Sequence, residues 1–247
     1  MRYNYQILIE YDGLNFVGWQ FQKNGKSVQE TIEKNLSKIL KKKIKITGAG
    51  RTDKGVHALG QSANFLVDKK IENKKKFLNS INYFLQKYLI SIIDIKIKNL
   101  SFNSRYDAKE RTYEYKIINR ESYLAINKNR AWLVKRELDL DILRKGAKIL
   151  EGKHDYSTFR ASSCSAKSPI RKISKIRVNK RINTISIKFK SKSFLQNQVR
   201  SMVGCLKYLA EKKWTLRKFK KVLILKKRSL CAPPAPAHGL YLVKIRY

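Results

Sequence analysis

Acids, histidines and cysteines are all scarce in this chain, and each shortage removes a class of chemistry. The three cysteines, Cys164, Cys205 and Cys231, stand far apart with no Cys-x-x-Cys, and the three histidines are equally scattered. Such spacing builds neither a disulfide framework nor a zinc site, so the thiols read as free ones in a reducing compartment. No apolar run approaches the roughly 18 residues of a membrane helix. The opening MRYNYQILIEYDG alternates like a strand where a secretory signal would carry an apolar block. The expectation is a cytoplasmic protein with no membrane segment, no metal and no cofactor.

Carboxylates number 18 against 56 lysines and arginines, a formal charge of +38. That imbalance points to a polyanionic partner, because cations placed on phosphates gain affinity by releasing counterions. Lys, Asn and Ile are all abundant, so a compositional bias of the genome also accounts for part of the charge. The length of 247 residues suits one large domain or two smaller ones, and 43% hydrophobic content is enough for a packed core.

The rest of the chain is best read around GAGRTDKGVHALGQ, Gly48 to Gln61. Asp53 is the one acid between Glu33 and Asp68, and it sits among Gly48, Gly50 and Gly55 with Arg51 two residues earlier. Dense glycine lets a backbone turn tightly and approach a ligand. The stretch is not a dinucleotide fingerprint, since the sixth position from Gly48 is Asp53. Nor is it a P-loop, since Val56 and His57 follow Gly55. It is a glycine-rich turn presenting an acid; an Asx turn between two strands is the plainer alternative.

Around it the hydrophobic spacing predicts α+β structure. Tyr3 to Tyr11 alternates as a strand, followed by a polar connection with exposed-looking Phe16 and Trp19. SVQE, Ser27 to Glu30, is a capping box, and Val28, Ile32, Leu36 and Leu40 then recur on one helix face. Strands over Ile44 to Gly48 and His57 to Val67 flank the acidic turn. A helix over Lys74 to Tyr88 and a strand over Ile90 to Leu100 complete β-α-β-β-α-β, the ferredoxin-like order. The second half is read as a strand over Arg111 to Asn119, a helix capped by Asp139 and a polar loop over His154 to Pro169. Strands over Ile170 to Val178 and Ile182 to Lys190, helices over Phe194 to Ala210 and Thr215 to Leu225, and a strand over Gly239 to Tyr247 follow. The expectation is two ferredoxin-like halves, residues 1–105 and 106–247, sharing one antiparallel sheet with a central RNA-binding cleft.

Several motifs in register resemble the TruA family of tRNA pseudouridine synthases. They are YDG with Gly18-Trp19-Gln20, Gln22 and SVQE; GAGRTDKGVHALGQ; RTYEY; HDYSTF; FLQNQVRSMVG; and the closing APPAPAHGLYLVKIRY. The resemblance implies an isomerase that makes pseudouridine at uridines 38 to 40 of the tRNA anticodon arm. It implies a homodimer bridged by one tRNA, with Asp53 as catalytic nucleophile and Tyr113 stacking on the target base. It further implies Arg200 paired with Asp53, and Arg51 on the RNA, helping to extrude the nucleotide. Two positions depart from the family's pattern: Lys54 stands in place of an alanine and Gln198 in place of a methionine.

The chemistry suits these residue types. Forming pseudouridine breaks the bond from ribose to base nitrogen, turns the base and rejoins it through carbon 5, with no redox change. It needs a carboxylate that stays ionised in a partly dry pocket, and an arginine, charged at any relevant pH, favours that state. Asp53 has three routes open to it: attack on the ring, attack on the sugar carbon, or removal of a sugar proton. The competing readings are a non-catalytic basic RNA-binding protein, a pseudouridine synthase acting on other RNA uridines and, more weakly, a metal-dependent nuclease, which would need clustered acids.

Overall fold

The computed structural model describes residues Met1–Tyr247, which divide into two compact units: Met1–Arg111 with Leu242–Tyr247, and Thr112–Tyr241. The protein is mixed α+β, its strands mostly antiparallel, with five α-helices. No helix is long and apolar enough to cross a membrane.

The first unit holds β1 (Tyr3–Tyr11), α1 (Val28–Leu40), β2 (Thr47–Gly48), β3 (His57–Val67), α2 (Lys74–Leu85) and β4 (Ile90–Lys98). β1 is central, antiparallel to β3 on one side and β4 on the other, while β2 pairs with β3. The resulting order, β4-β1-β3-β2, realises the ferredoxin-like sequence of elements. Alternation decides its faces: Tyr5, Ile7, Ile9 and Tyr11 are buried, and α1 supplies Val28, Ile32 and Leu36 to the core. The Ser27 hydroxyl accepts the Glu30 N–H at 3.2 Å, satisfying one donor that the first helical turn leaves open.

Only the last two residues of the strand expected over Ile44 to Gly48 pair in the sheet. Helix α1 takes the others: Ser37 Oγ accepts the Ile44 N–H at 2.8 Å and the buried Glu33 carboxylate accepts that of Ile46 at 3.0 Å. Phe16 and Trp19, expected to be exposed, are both 2% exposed. Trp19 lies against Gly48 and Tyr11, a contact between segments that local spacing does not encode.

The second unit holds β5 (Glu110–Asn119, from Thr112 on), β6 (Trp132–Val134), α3 (Leu140–Ile149), β7 (Gly152–Asp155), β8 (Ile170–Arg181), β9 (Thr184–Ser191), α4 (Gln198–Ala210) and α5 (Leu216–Ile224). Its strands lie in the order β5-β9-β8-β7, with β6 parallel to β5. β10 (Leu240–Arg246) closes the chain, its residues from Leu242 onward lying with the first unit beside β3.

Three elements of this unit differ from expectation. The polar loop over His154 to Pro169 begins with β7, antiparallel to β8, and buries Tyr156 and Phe159 completely, with the Tyr156 hydroxyl donating to Leu150 O at 2.7 Å. Two aromatics thus anchor a stretch whose average polarity suggests solvent. The β8–β9 turn falls at Ile182 and Asn183, because Arg181 pairs with Thr184. Helix α4 starts four residues after Phe194, because Asn197 takes a left-handed conformation (φ 60°) and Gln198 Oε1 binds the Leu195 N–H at 2.8 Å.

Glu151 couples this unit to pH. Burial pushes its carboxyl up, but bonds from the Ile176 N–H at 2.8 Å and from Lys148 outweigh that and hold it below its ordinary value. A depressed carboxylate adds stability above its unfolded pKa and loses it as pH falls through its folded pKa. Thermal melts between about pH 5 and pH 3 should therefore show a falling Tm in the wild type. Glu151→Gln, which keeps an acceptor for Ile176 without the charge, should flatten that acid limb by a few degrees.

Candidate active site

Asp53 sits where the chain passes from β2 to β3. Its carbonyl accepts the Val56 N–H at 3.1 Å, and Gly55, third residue of that turn, has φ 77°. This is the type II pattern, which needs glycine at the third position. The turn is tied down on its N-terminal side too. Thr52 O accepts the Trp19 N–H at 3.0 Å, Thr52 Oγ1 shares a 2.7 Å hydrogen bond with the Tyr11 hydroxyl, and Gly18 bridges Asp53 in an antiparallel pair. Gly18 has φ 129°, and a Cβ there would lie 2.7 Å from Thr52 O. No side chain fits between these two backbones.

The approach to the turn is held by two side chains outside the set expected from sequence. Gln61 donates to Gly50 O at 2.8 Å and accepts the Gly50 and Ser62 N–H groups at 3.3 and 3.1 Å. Arg111, 9% exposed, donates twice to Ala49 O, at 3.0 Å from Nε and 2.6 Å from Nη2, and once to Arg105 O at 2.9 Å. Its planar fork makes it a clamp on the Gly48–Gly50 backbone. The one signal in the sequence was an arginine opening an alternating strand. Arg51 and Lys54 are exposed and Asp53 is half-buried, so a carboxylate lies between two solvent-facing cations.

In the second unit Tyr113 is buried on β5, its ring perpendicular to that of Phe194 at a centroid distance of 5.2 Å. Arg200 lies in the first turn of α4, half-buried; Nε donates to Ala235 O at 2.7 Å and Nη1 to Asn197 Oδ1 at 3.1 Å. Ala235 N in turn donates to Arg200 O at 3.0 Å. Pro233, Pro234 and Pro236 have no N–H, so Ala235 supplies the single donor of that run and spends it on α4. Burial pushes the Tyr115 phenol far up, with the Arg200 charge opposing, and its hydroxyl donates to Pro236 O at 2.7 Å. Gln198, the departure from the resembling pattern, is wholly buried with its oxygen on Leu195 N. The first unit thus carries Arg51 and Asp53, and the second carries Tyr113 and Arg200.

A family model described as tRNA pseudouridine synthase matches residues 7–107 and 147–247. The chain belongs to the tRNA pseudouridine synthase family. A tRNA pseudouridine synthase A of Pelagibacter ubique is 54% identical over 245 residues, covering 99% of this chain and 100% of that one. Proteins of the same name from Parvibaculum lavamentivorans and Neorickettsia sennetsu are 41% and 42% identical, each over 98% of this chain and 98% and 99% of theirs. As a member of the tRNA pseudouridine synthase family, the chain is an isomerase acting in tRNA modification. The matched stretches include Arg51 and Asp53 in the first and Arg200 in the second, while Tyr113 lies between them.

Proposed function

We propose that the chain converts uridine to pseudouridine at positions 38 to 40 of the tRNA anticodon arm, with Asp53 as the nucleophile. The observation that carries this reading is the Asp53 turn. Backbone bonds donated by the Trp19 and Val56 N–H groups fix it on both sides, and the family it stands in modifies uridine. A carboxylate held this way meets its substrate without reorganising, which is where most of the gain from positioning lies.

In the reaction the bond from ribose C1′ to base N1 breaks and a bond from C1′ to C5 forms. The C5 proton leaves and N1 gains a proton, so atoms balance with no oxidant. Asp53 forms the transient covalent bond that splits this exchange into two steps. Tyr113 stacks on the extruded base, a contact worth about 1–3 kcal/mol. Arg200 supplies positive charge that keeps the Asp53 carboxylate ionised; with two of its five donors on Ala235 and Asn197, its plane is fixed and the others remain for an anion. Arg51 holds the RNA backbone, and the working unit is a homodimer bridged by one tRNA.

Transcribed tRNA carrying tritium at C5 of uridine tests this reading, since forming the C1′–C5 bond releases the label to water. The wild type should release label from tRNA labelled at positions 38 to 40 and leave it in place when only other uridines carry it. Release from other positions would overturn the site assignment. No release at all, with tight salt-dependent tRNA binding, would favour a non-catalytic RNA-binding protein.

A further inference from the structure

The strands β7, β8 and β9 place like charges directly opposite one another. Their register sets Lys153 against Lys172, Lys175 against Lys190 and Arg177 against Lys188. Between these pairs the alternating residues Ile173, Ile176, Ile187 and Phe189 are buried on the face that α3 packs against. The three cationic pairs therefore share the opposite, solvent-facing side of the sheet, where Lys153, Lys172, Lys175 and Arg177 are all exposed. Directly opposed like charges destabilise a sheet, and here one such pair lies in the β7–β8 ladder and two lie in the adjoining β8–β9 ladder. The same face carries Glu114, 3.7 Å from Lys188, and Asp155, 3.8 Å from Lys226; Glu151 lies within the field of Lys175. The four exposed cations keep this face basic.

We infer that this ladder is a docking surface for the phosphate backbone of the RNA substrate. It runs roughly 15 Å along β8, with cations spaced by the strand pleat and the interstrand gap, a scale comparable to successive phosphates of one RNA strand. A polyanion screens the repulsion between the opposed cations, and displaced counterions add affinity. The inference rests on the proposed RNA-modifying reading and extends it to where the tRNA is gripped away from the reacting base.

The test compares two variants of equal charge. One carries Lys153→Gln, Lys172→Gln, Lys175→Gln and Arg177→Gln. The other carries Lys43→Gln, Lys74→Gln, Lys75→Gln and Lys76→Gln, all exposed lysines of the first unit. The Kd for tRNA is measured from 50 to 300 mM KCl. The ladder variant should bind at least about tenfold more weakly at 150 mM, with a salt slope shallower by about two to three. The control should change by less than threefold. Melting curves should show the ladder variant folded, with Tm unchanged or raised as repulsion is relieved. Equal weakening in both variants would mean that net charge alone matters, and no weakening in the ladder variant would mean that the RNA lies elsewhere; either overturns the inference. Tritium release separates the two readings. Release by the wild type with no difference between the variants sinks the ladder alone. No release by the wild type with a selective loss of binding in the ladder variant sinks the isomerase assignment alone.

Discussion

Replacing Asp53 by Asn should lower the single-turnover rate of tritium release by at least about 10⁴-fold while changing the Kd for tRNA by less than about threefold. The amide has nearly the shape of the carboxylate, and the turn that carries it is closed by backbone groups, Val56 N to Asp53 O and Trp19 N to Thr52 O. The substitution therefore removes charge and nucleophilicity and leaves the scaffold in place. Asp53→Glu makes the complementary test: it keeps the charge but moves it by one methylene. Misplacement of about 1 Å costs on the order of 10²-fold, so Glu should fall between wild type and Asn. Single-turnover assays at saturating enzyme separate this loss from weak binding. An Asn variant within tenfold of wild type would remove Asp53 from the nucleophile's role.

Gly18→Ala should do the second-largest damage although Gly18 carries no functional group. Its φ of 129° is one that side chains rarely adopt, and the added methyl would stand 2.7 Å from Thr52 O. Backbone strain of this kind costs about 1–3 kcal/mol, so Tm should fall by several degrees. Relief comes only by moving the loop over Asp12 to Gln22 or the Asp53 turn apart, and the bridge between Gly18 and Asp53 passes that shift to the carboxylate. A rate loss of about 10² at temperatures well below Tm is the expected signature. Ile81→Val, which deletes one buried methylene on α2, costs about 1 kcal/mol and controls for stability alone. It should keep near-wild-type rates. A Gly18→Ala protein that melts early but reacts normally would show that the turn does not depend on this contact.

The motif turn was legible because glycine, acid and spacing are local properties. So were the capped helices: Ser27 and Asp139 stand at the N-caps that their positions before apolar-periodic runs imply. What the pattern missed shares one feature. Trp19 looked exposed in a polar loop, yet its indole covers Gly48. Phe194 looked helical, yet Asn197 starts α4 only beyond it, leaving the phenyl ring against Tyr113. Tyr156 and Phe159 looked like loop residues until the core took them.

From its sequence alone this chain is set as an α+β protein with periodic helices and strands, a strongly basic surface and one acid displayed in a glycine turn. Those properties depend on neighbours within a few residues, where the 2.0 and 3.6 periodicities and the turn rules operate. The tertiary structure decided which groups hold that acid in place. Arg111 reaches Ala49 across 62 positions, and Gln61 spans 11 to close on Gly50. It also decided that like charges face each other along β8, since register is set between strands and not within one. Hydrogen bonds and repulsions of this kind act through space, so only a folded chain can show them.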